Sequence, residues 1–236
     1  MELKIENLTQ RYRGVTALKG VSTQLRGGDT CLLLGPNGSG KTTLMKLIAG
    51  VASPSSGAIA LDGTPISPKT KAHIAYMPTE NYFYNYMNVR DAGKYYADFF
   101  ADFDYAAYAD RIERAELSPR ASIRTLSSGM SAKLRLSLIL SRDAQVMMFD
   151  EPINGVDMLT RDWVLDEIAA RRDPERILLI STHLVEQAER LANCALFLRR
   201  GELVREGALD ELCRESSLED LYREIYGSRR EEEASC

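Results

Sequence analysis

Gly35-Pro36-Asn37-Gly38-Ser39-Gly40-Lys41-Thr42-Thr43 is the stretch that decides how this chain is read. It follows the apolar run Cys31-Leu32-Leu33-Leu34 and precedes Leu44, Leu47 and Ile48, so a buried strand passes through a glycine turn into a helix. In that setting the pattern G-x-x-x-x-G-K-[ST] is a phosphate-binding loop. Gly35, Gly38 and Gly40 reach backbone angles closed to other residues, which lets successive N–H groups of residues 35–43 turn inward around a phosphate. The helix beginning near Gly40 adds its positive end to the same anion. Lys41 carries a point charge to the β- and γ-phosphates, and the Thr42 hydroxyl is a ligand for Mg²⁺. The whole stretch is expected to bind a nucleoside triphosphate.

Composition narrows the class. A chain of 236 residues is one large α/β domain or two small ones. No uninterrupted apolar run approaches the roughly 18 to 20 residues that span a bilayer. The start, Met1-Glu2-Leu3-Lys4-Ile5-Glu6, has charges where a signal peptide needs an apolar stretch, so a cytosolic protein is expected. The net charge is −4, with no basic cluster beyond pairs such as Arg171-Arg172 and Arg229-Arg230, so a nucleic-acid partner is not expected. Cys31, Cys194, Cys213 and Cys236 form no C-x-x-C pair and read as buried or idle thiols.

Ahead of the loop, Leu3, Ile5 and Leu8 and later Val15, Ala17 and Leu18 alternate loosely, with Gly14 and Gly27-Gly28 between, as in short strands and a hairpin. Tyr12 suits either packing or stacking on a nucleotide base. Beyond the loop's helix, strands are expected at residues 58–61, before the Asp62-Gly63 turn, and at 74–77, before Pro78. Eleven of the eighteen aromatic residues then lie between Tyr82 and Tyr108. Tyr95/Phe99, Tyr96/Phe100 and Phe99/Phe103 have helical spacing, which places a helical insert over about residues 89–117. Its aromatics suit a compact core or, around Tyr82, Phe83, Tyr84 and Tyr86, a docking surface.

Leu126-Ser127-Ser128-Gly129-Met130 opens a helix running to about Leu140, with Ser127 or Ser128 as N-cap and a second anion site at its exposed N–H groups. Val146-Met147-Met148-Phe149 has no polar side chain, as in a central parallel strand, and ends in Asp150-Glu151. An acid there can hold Mg²⁺, and its neighbour can take a proton from an attacking water. Ile177-Leu178-Leu179-Ile180 repeats the layout and leads to His183, which can bond a γ-phosphate oxygen or the Glu151 carboxylate. The three strand ends, at Gly35, Asp150 and His183, are expected on one rim. His73 reads as a solvated turn residue and Trp163 as core. Residues 195–204 read as a hairpin, 210–227 as a helix and 228–236 as a loose charged tail.

The order of these parts over roughly residues 3–206 resembles the nucleotide-binding subunits of ABC transporters. The resemblance implies an α/β fold: a P-loop core (residues 1–78 and 143–207) with an N-terminal antiparallel region, an inserted helical subdomain (79–142) and a C-terminal helix (210–227). It makes Leu126 to Met130 the signature, departing from L-S-G-G-Q at Ser128 and Met130. By it Asp150 is the Mg²⁺ acid, Glu151 the catalytic carboxylate, Asp157 the D-loop acid, His183 the switch histidine and Tyr12 the base-stacking ring. It also implies ATP and Mg²⁺ as cofactors, a second cassette closing head to tail over two ATP molecules, and a transmembrane permease holding the subunit at the cytoplasmic face. Where the family has a glutamine that touches Mg²⁺, this chain has Thr79, then Glu80; either can take its place. This departure, the L-S-S-G-M form and Asn154-Gly155-Val156-Asp157 are most similar to bacterial ABC-2 exporters of antibiotics and toxic peptides. The alternatives are a soluble ATPase of this type or a degenerate regulatory cassette; the second is suggested by Thr79 alone.

Overall fold

The computed structural model describes residues 1–80, 82–84 and 86–227, so the expected tail at 228–236 lies outside the described residues. The first two strands, β1 (Glu2–Tyr12) and β2 (Val15–Arg26), are longer than the expected short hairpin and pair antiparallel. Ile5 and Leu8 are three apart yet both buried, because a register shift between them turns the odd spacing back to one face. Then come β3 (Thr30–Leu34), α1 (Lys41–Ile48), β4 (Ser56–Leu61), β5 (Thr64–Pro65), α2 (Pro68–Lys71) and β6 (Ile74–Met77). Helices α3 (Val89–Phe99), α4 (Tyr105–Arg114) and α5 (Ser128–Leu140) follow before β7 (Val146–Asp150). The remainder is α6 (Met158–Ala169), β8 (Ile177–Thr182), α7 (Val185–Glu189), β9 (Cys194–Arg199), β10 (Glu202–Ala208), α8 (Leu209–Leu212) and α9 (Leu218–Gly227).

Two sheets result among the described residues: a small antiparallel one in the order β2-β1-β4-β5 and a larger one in the order β10-β9-β3-β8-β7-β6. Strands β9, β3, β8, β7 and β6 are mutually parallel, and β10 closes one edge antiparallel. Every residue of β3, β7 and β8 is buried, because the larger sheet is covered on both faces. Side chains alternate between the layers. Cys31, Leu33, Val146, Met148, Ile177 and Leu179 pack toward the small sheet and α1. Leu32, Leu34, Met147, Phe149, Leu178 and Ile180 pack toward the helical layer.

The segment with α3, α4 and α5 leaves the sheet after β6 and returns at β7, and those two strands pair directly. Arg142 ties the return. Its guanidinium bonds both Asp102 oxygens (3.1 and 3.2 Å), the Ile74 carbonyl (3.0 Å) and the Ala72 carbonyl (2.7 Å), and lies 3.9 Å from the centre of the Phe100 ring. A second tie runs from α4 to α6, where Arg111 and Arg114 both meet the buried Glu167.

Two expectations need correction. The aromatic spacing does not continue through Phe103, because α3 ends at Phe99; Phe103 instead packs against Tyr96 and Tyr108 from the following turn. Residues 210–227 are two helices, because the Ser217 side chain accepts the Asp220 N–H (3.1 Å) and so caps a fresh helix start. The scattered cysteines also gain a pair: Cys31 and Cys194 stand opposite each other on β3 and β9.

Gly93 shows how closely α3 and α4 meet. A Cβ there would stand 2.2 Å from Cε1 of Tyr108, which is buried and held by its bond to the Val89 carbonyl (2.6 Å) and cannot swing aside. Gly93→Ala is expected to destabilise the fold by about 1–3 kcal/mol despite alanine's better helix propensity. Urea denaturation measures it; equal or greater stability would show that the contact yields.

Candidate active site

The rim expected from the strand ends is present. Strands β3, β8 and β7 are neighbours in that order, so loop 35–43, Ser181 to His183 and Asp150-Glu151 emerge side by side at their C-terminal ends. Gly40 stands at the start of α1 with φ 112°, and a Cβ there would lie 2.8 Å from the Ala17 carbonyl, so only glycine lets the loop close against β2. An open cleft of about 740 Å³, of cofactor size, begins at this loop. Asn37 to Thr43 line one wall, Asp150, Glu151 and Asn154 the floor, and Tyr76, Thr79 and Glu80 the far side.

Glu151 departs from β7 with φ 49°, a left-handed angle that costs a non-glycine residue on the order of 1–3 kcal/mol. Its N–H donates to the Ser181 carbonyl (3.1 Å) and to the Ser181 hydroxyl (3.0 Å), which holds the turn. The turn aims the carboxylate at two partners: Lys41 Nζ lies 3.4 Å from Oε1, and His183 Nδ1 lies 2.9 Å from Oε2. Of the two roles open to His183 in the sequence, the contact made here is to Glu151. Lys41 also donates to the carbonyl of Gly35 (2.7 Å) and sits 3.4 Å from that of Pro36.

Asp150 is fully buried and satisfied: the Ser181 hydroxyl donates to Oδ1 (2.5 Å), the Tyr76 hydroxyl to Oδ2 (3.2 Å) and the Thr79 hydroxyl to its main-chain carbonyl (3.0 Å). Burial, then the charge of Asp150, push the Tyr76 phenol well above its ordinary range, so it stays a donor. The Thr79 proton is thereby committed, and the oxygen lone pairs are what it can offer an ion. Among the described residues, three buried side-chain oxygens lack a hydrogen-bond partner, and two of them, Ser39 Oγ and Glu151 Oε1, belong to residues that line this cleft; the third is Gln187 Oε1. Beyond its ion pair with Lys41, Glu151 Oε1 keeps acceptor capacity that suits a bound water, while the lysine suits a polyanion with its cation.

The other expected site residues lie elsewhere. Ser127 caps α5 and accepts the Met130 N–H (3.2 Å), while Ser128 is the helix's first residue. Gly129 packs on the start of α6, where a Cβ would come within 3.0 Å of Thr160 Oγ1 and 3.3 Å of Asp157 Oδ2. None of residues 127–130 lines the cleft of the same chain. Asp157 caps α6, accepting the Thr160 N–H (2.9 Å) and hydroxyl (2.8 Å), and these bonds hold its carboxyl below the usual range. Tyr12 ends β1 opposite Val15, half-exposed; Val15 borders the cleft and Tyr12 itself does not.

The sequence reading missed Ser181, Tyr76 and Arg135. Ser181 is the register partner of Asp150, so comparing the ends of the two strands would have found it. Arg135, on α5, donates to the carbonyls of Pro78 (2.8 Å) and Thr79 (2.5 Å), linking that helix to the wall of the cleft; nothing local in the sequence signals it.

A triphosphate loop, an acid pair two strands away, a histidine at the end of the strand between them and a helical insert carrying a second capped helix start define an ATP-binding cassette. The chain belongs to the ABC transporter family, whose model matches residues 18–154. It is 34% identical over 216 residues to the ABC transporter ATP-binding protein YtrB of Bacillus subtilis, covering 89% of this chain and 73% of that protein. It is 29% identical over 242 residues to the Nod factor export ATP-binding protein I of Cupriavidus metallidurans, covering 97% and 78%. A solved structure of an ATP-binding subunit of an ABC transporter superposes with a TM-score of 0.85 at 26% identity, covering 95% of this chain and 99% of that one. The chain is thus the ATP-binding, ATP-hydrolysing subunit of a transporter, a family whose cassettes dimerise and partner transmembrane subunits. Among the described residues no helix is long and apolar enough to cross a membrane.

Proposed function

We propose that this chain powers an exporter: ATP draws two cassettes together, Glu151 takes a proton from the attacking water, and the closure moves a separate permease. The observation that carries the reading is the joining of Lys41, Glu151 and His183 at one rim beside the loop. In this reading residues 35–43 cradle the triphosphate and Tyr12 turns onto the base. Thr42 and Asp150 hold Mg²⁺, with Thr79 or Glu80 beside it, and the ion supplies neutralising charge on the phosphates. His183 orients the Glu151 carboxylate. Ser127, Ser128, Gly129, Met130 and Asp157 serve the nucleotide of the second cassette, which their place outside their own cleft supports.

In the same reading residues 1–78 and 143–207 form the nucleotide-binding core, 79–142 the helical subdomain and 210–227 a C-terminal helical segment. The permease holds the subunit at the cytoplasmic face. The likeness to a protein named for export supports the direction, and the ABC-2 resemblance supports an antimicrobial or toxic peptide or drug as cargo.

The docking surface is placed at the aromatic segment after β6. Tyr84 and Tyr86 stack with ring centres 5.5 Å apart and are 55% and 79% exposed, and Tyr84 meets Tyr95 edge-on. Tyr82 and Phe83 contribute less, since Tyr82 turns its hydroxyl inward onto Tyr96 and Phe83 packs against the core. Removing both exposed rings (Tyr84→Ala with Tyr86→Ala) is expected to weaken capture of the membrane subunit more than tenfold and to leave ATP binding within twofold. Co-purification from membranes and titration with a fluorescent ATP analogue measure the two. Parallel losses would make the rings part of the fold instead.

A further inference from the structure

The C-terminal helix reaches the nucleotide site in a way that neither the loop nor the acid pair accounts for. Tyr226, on the last turn of α9, places its hydroxyl 3.1 Å from the Leu34 carbonyl and 2.9 Å from the Leu198 carbonyl. Leu34 ends β3 and is the residue before the loop, and Leu198 is the penultimate residue of β9. The Leu198 oxygen also bounds the loop's first residue, since a Cβ at Gly35 would stand 2.4 Å from it. One phenolic proton thus serves two carbonyls at the root of the loop. The next two carbonyls, of Gly35 and Pro36, face Lys41 Nζ. Lys41 has donors to share with a triphosphate, whereas the single Tyr226 proton is given to the strand ends alone.

The helix is itself well anchored. Leu218 and Leu221 are buried in the cluster that holds Val185 and Ala188 of α7, the helix that follows His183. The Tyr226 ring lies 6.4 Å from that of Phe197 and 4.5 Å from that of Tyr222. Burial, and after it the negative charge of Glu151, raise the Tyr222 phenol, so the same helix face stands near the acid cluster.

We propose that α9 is a positioning element of the nucleotide site, with the Tyr226 hydroxyl holding the root of loop 35–43 in its binding-competent shape. This inference rests on the reading of that loop as the ATP site. Tyr226→Phe keeps the ring and removes one donor, which leaves the loop root freer and dilutes the competent conformation.

The test compares the full-length wild type, Tyr226→Phe and Lys41→Ala, with a fluorescent ATP analogue for affinity and ATPase assays for KM and kcat, all well below each variant's melting temperature. Tyr226→Phe is expected to raise Kd and KM for ATP about three- to tenfold with kcat within twofold. An unchanged KM overturns the proposal, including where thermal stability falls, since the hydroxyl would then serve the fold alone. A fall in kcat with KM unchanged overturns it equally. Lys41→Ala separates the two levels: if it binds ATP normally, the reading of the loop fails, whereas loss of binding there with a wild-type Tyr226→Phe sinks only the role of α9.

Discussion

Replacing Glu151 with glutamine is expected to slow ATP turnover at saturating ATP by about two to three orders of magnitude and, in the same protein, to tighten ATP binding. The first effect follows from the proposed role of Glu151 as base, a carboxylate held in place by the Ser181 bonds to its N–H and by His183. The second follows from the pairing of Glu151 with Lys41 across 3.4 Å, with side chains only 10% and 6% exposed. In the proposed reading a triphosphate meets that lysine beside that carboxylate, so the native acid competes for the cation and repels the ligand. Glutamine keeps the shape and removes both penalties, worth on the order of 1 kcal/mol, or about fivefold in Kd. Stopped ATPase assays and titration with a fluorescent ATP analogue read the pair of effects. Turnover within threefold of wild type would remove Glu151 from the chemistry, and an unaltered Kd would make its contact with Lys41 incidental.

Arg142→Ala is expected to cost about 3–5 kcal/mol of stability, lowering the melting temperature by about 10 °C. The substitution leaves the Asp102 carboxylate and the carbonyls of Ile74 and Ala72 without their donor and opens a space against Phe100. Arg142 is 2% exposed, so water cannot replace those bonds without reaching the seam between the helical insert and the sheet. Calorimetry and urea denaturation measure the loss. A change below about 1 kcal/mol would mean that the seam is held by its apolar contacts alone, and that Arg142 only satisfies carbonyls that could equally be hydrated.

Much of the fold was legible because burial on both faces leaves a plain signature. Residues 31–34, 146–149 and 177–180 carry no polar side chain that a surface strand would need, and each is followed by residues whose chemistry suits phosphate or its cation. The start of α5 was legible for a similar reason, since a hydroxyl ahead of an apolar helix has few other local uses, but only the structure chose Ser127 over Ser128 as its cap. The break in residues 210–227 was harder. Ser216-Ser217 is a capping signal, yet leucines on both sides, Leu209 and Leu212 before and Leu218 and Leu221 after, hide it until Ser217 is seen to bond Asp220. The exposed rings of Tyr84 and Tyr86 and the inward hydroxyl of Tyr82 have the same local composition, so only packing separates them.

The amino-acid sequence by itself determined the phosphate loop, the acid pair, the histidine and the class of fold, because these depend on residue type within one strand–turn unit. Only the tertiary structure decided which groups hold them: Ser181 and Tyr76 on Asp150, Lys41 and His183 on Glu151, Arg135 on the segment of Thr79, and Tyr226 on the strand ends before the loop. Such contacts join residues from 28 to 192 positions apart, and strand order and side-chain direction bring them within 3.5 Å. Neither periodicity nor composition encodes those distances, because they arise only when separate strands are stacked into one sheet and helices are laid across its rim.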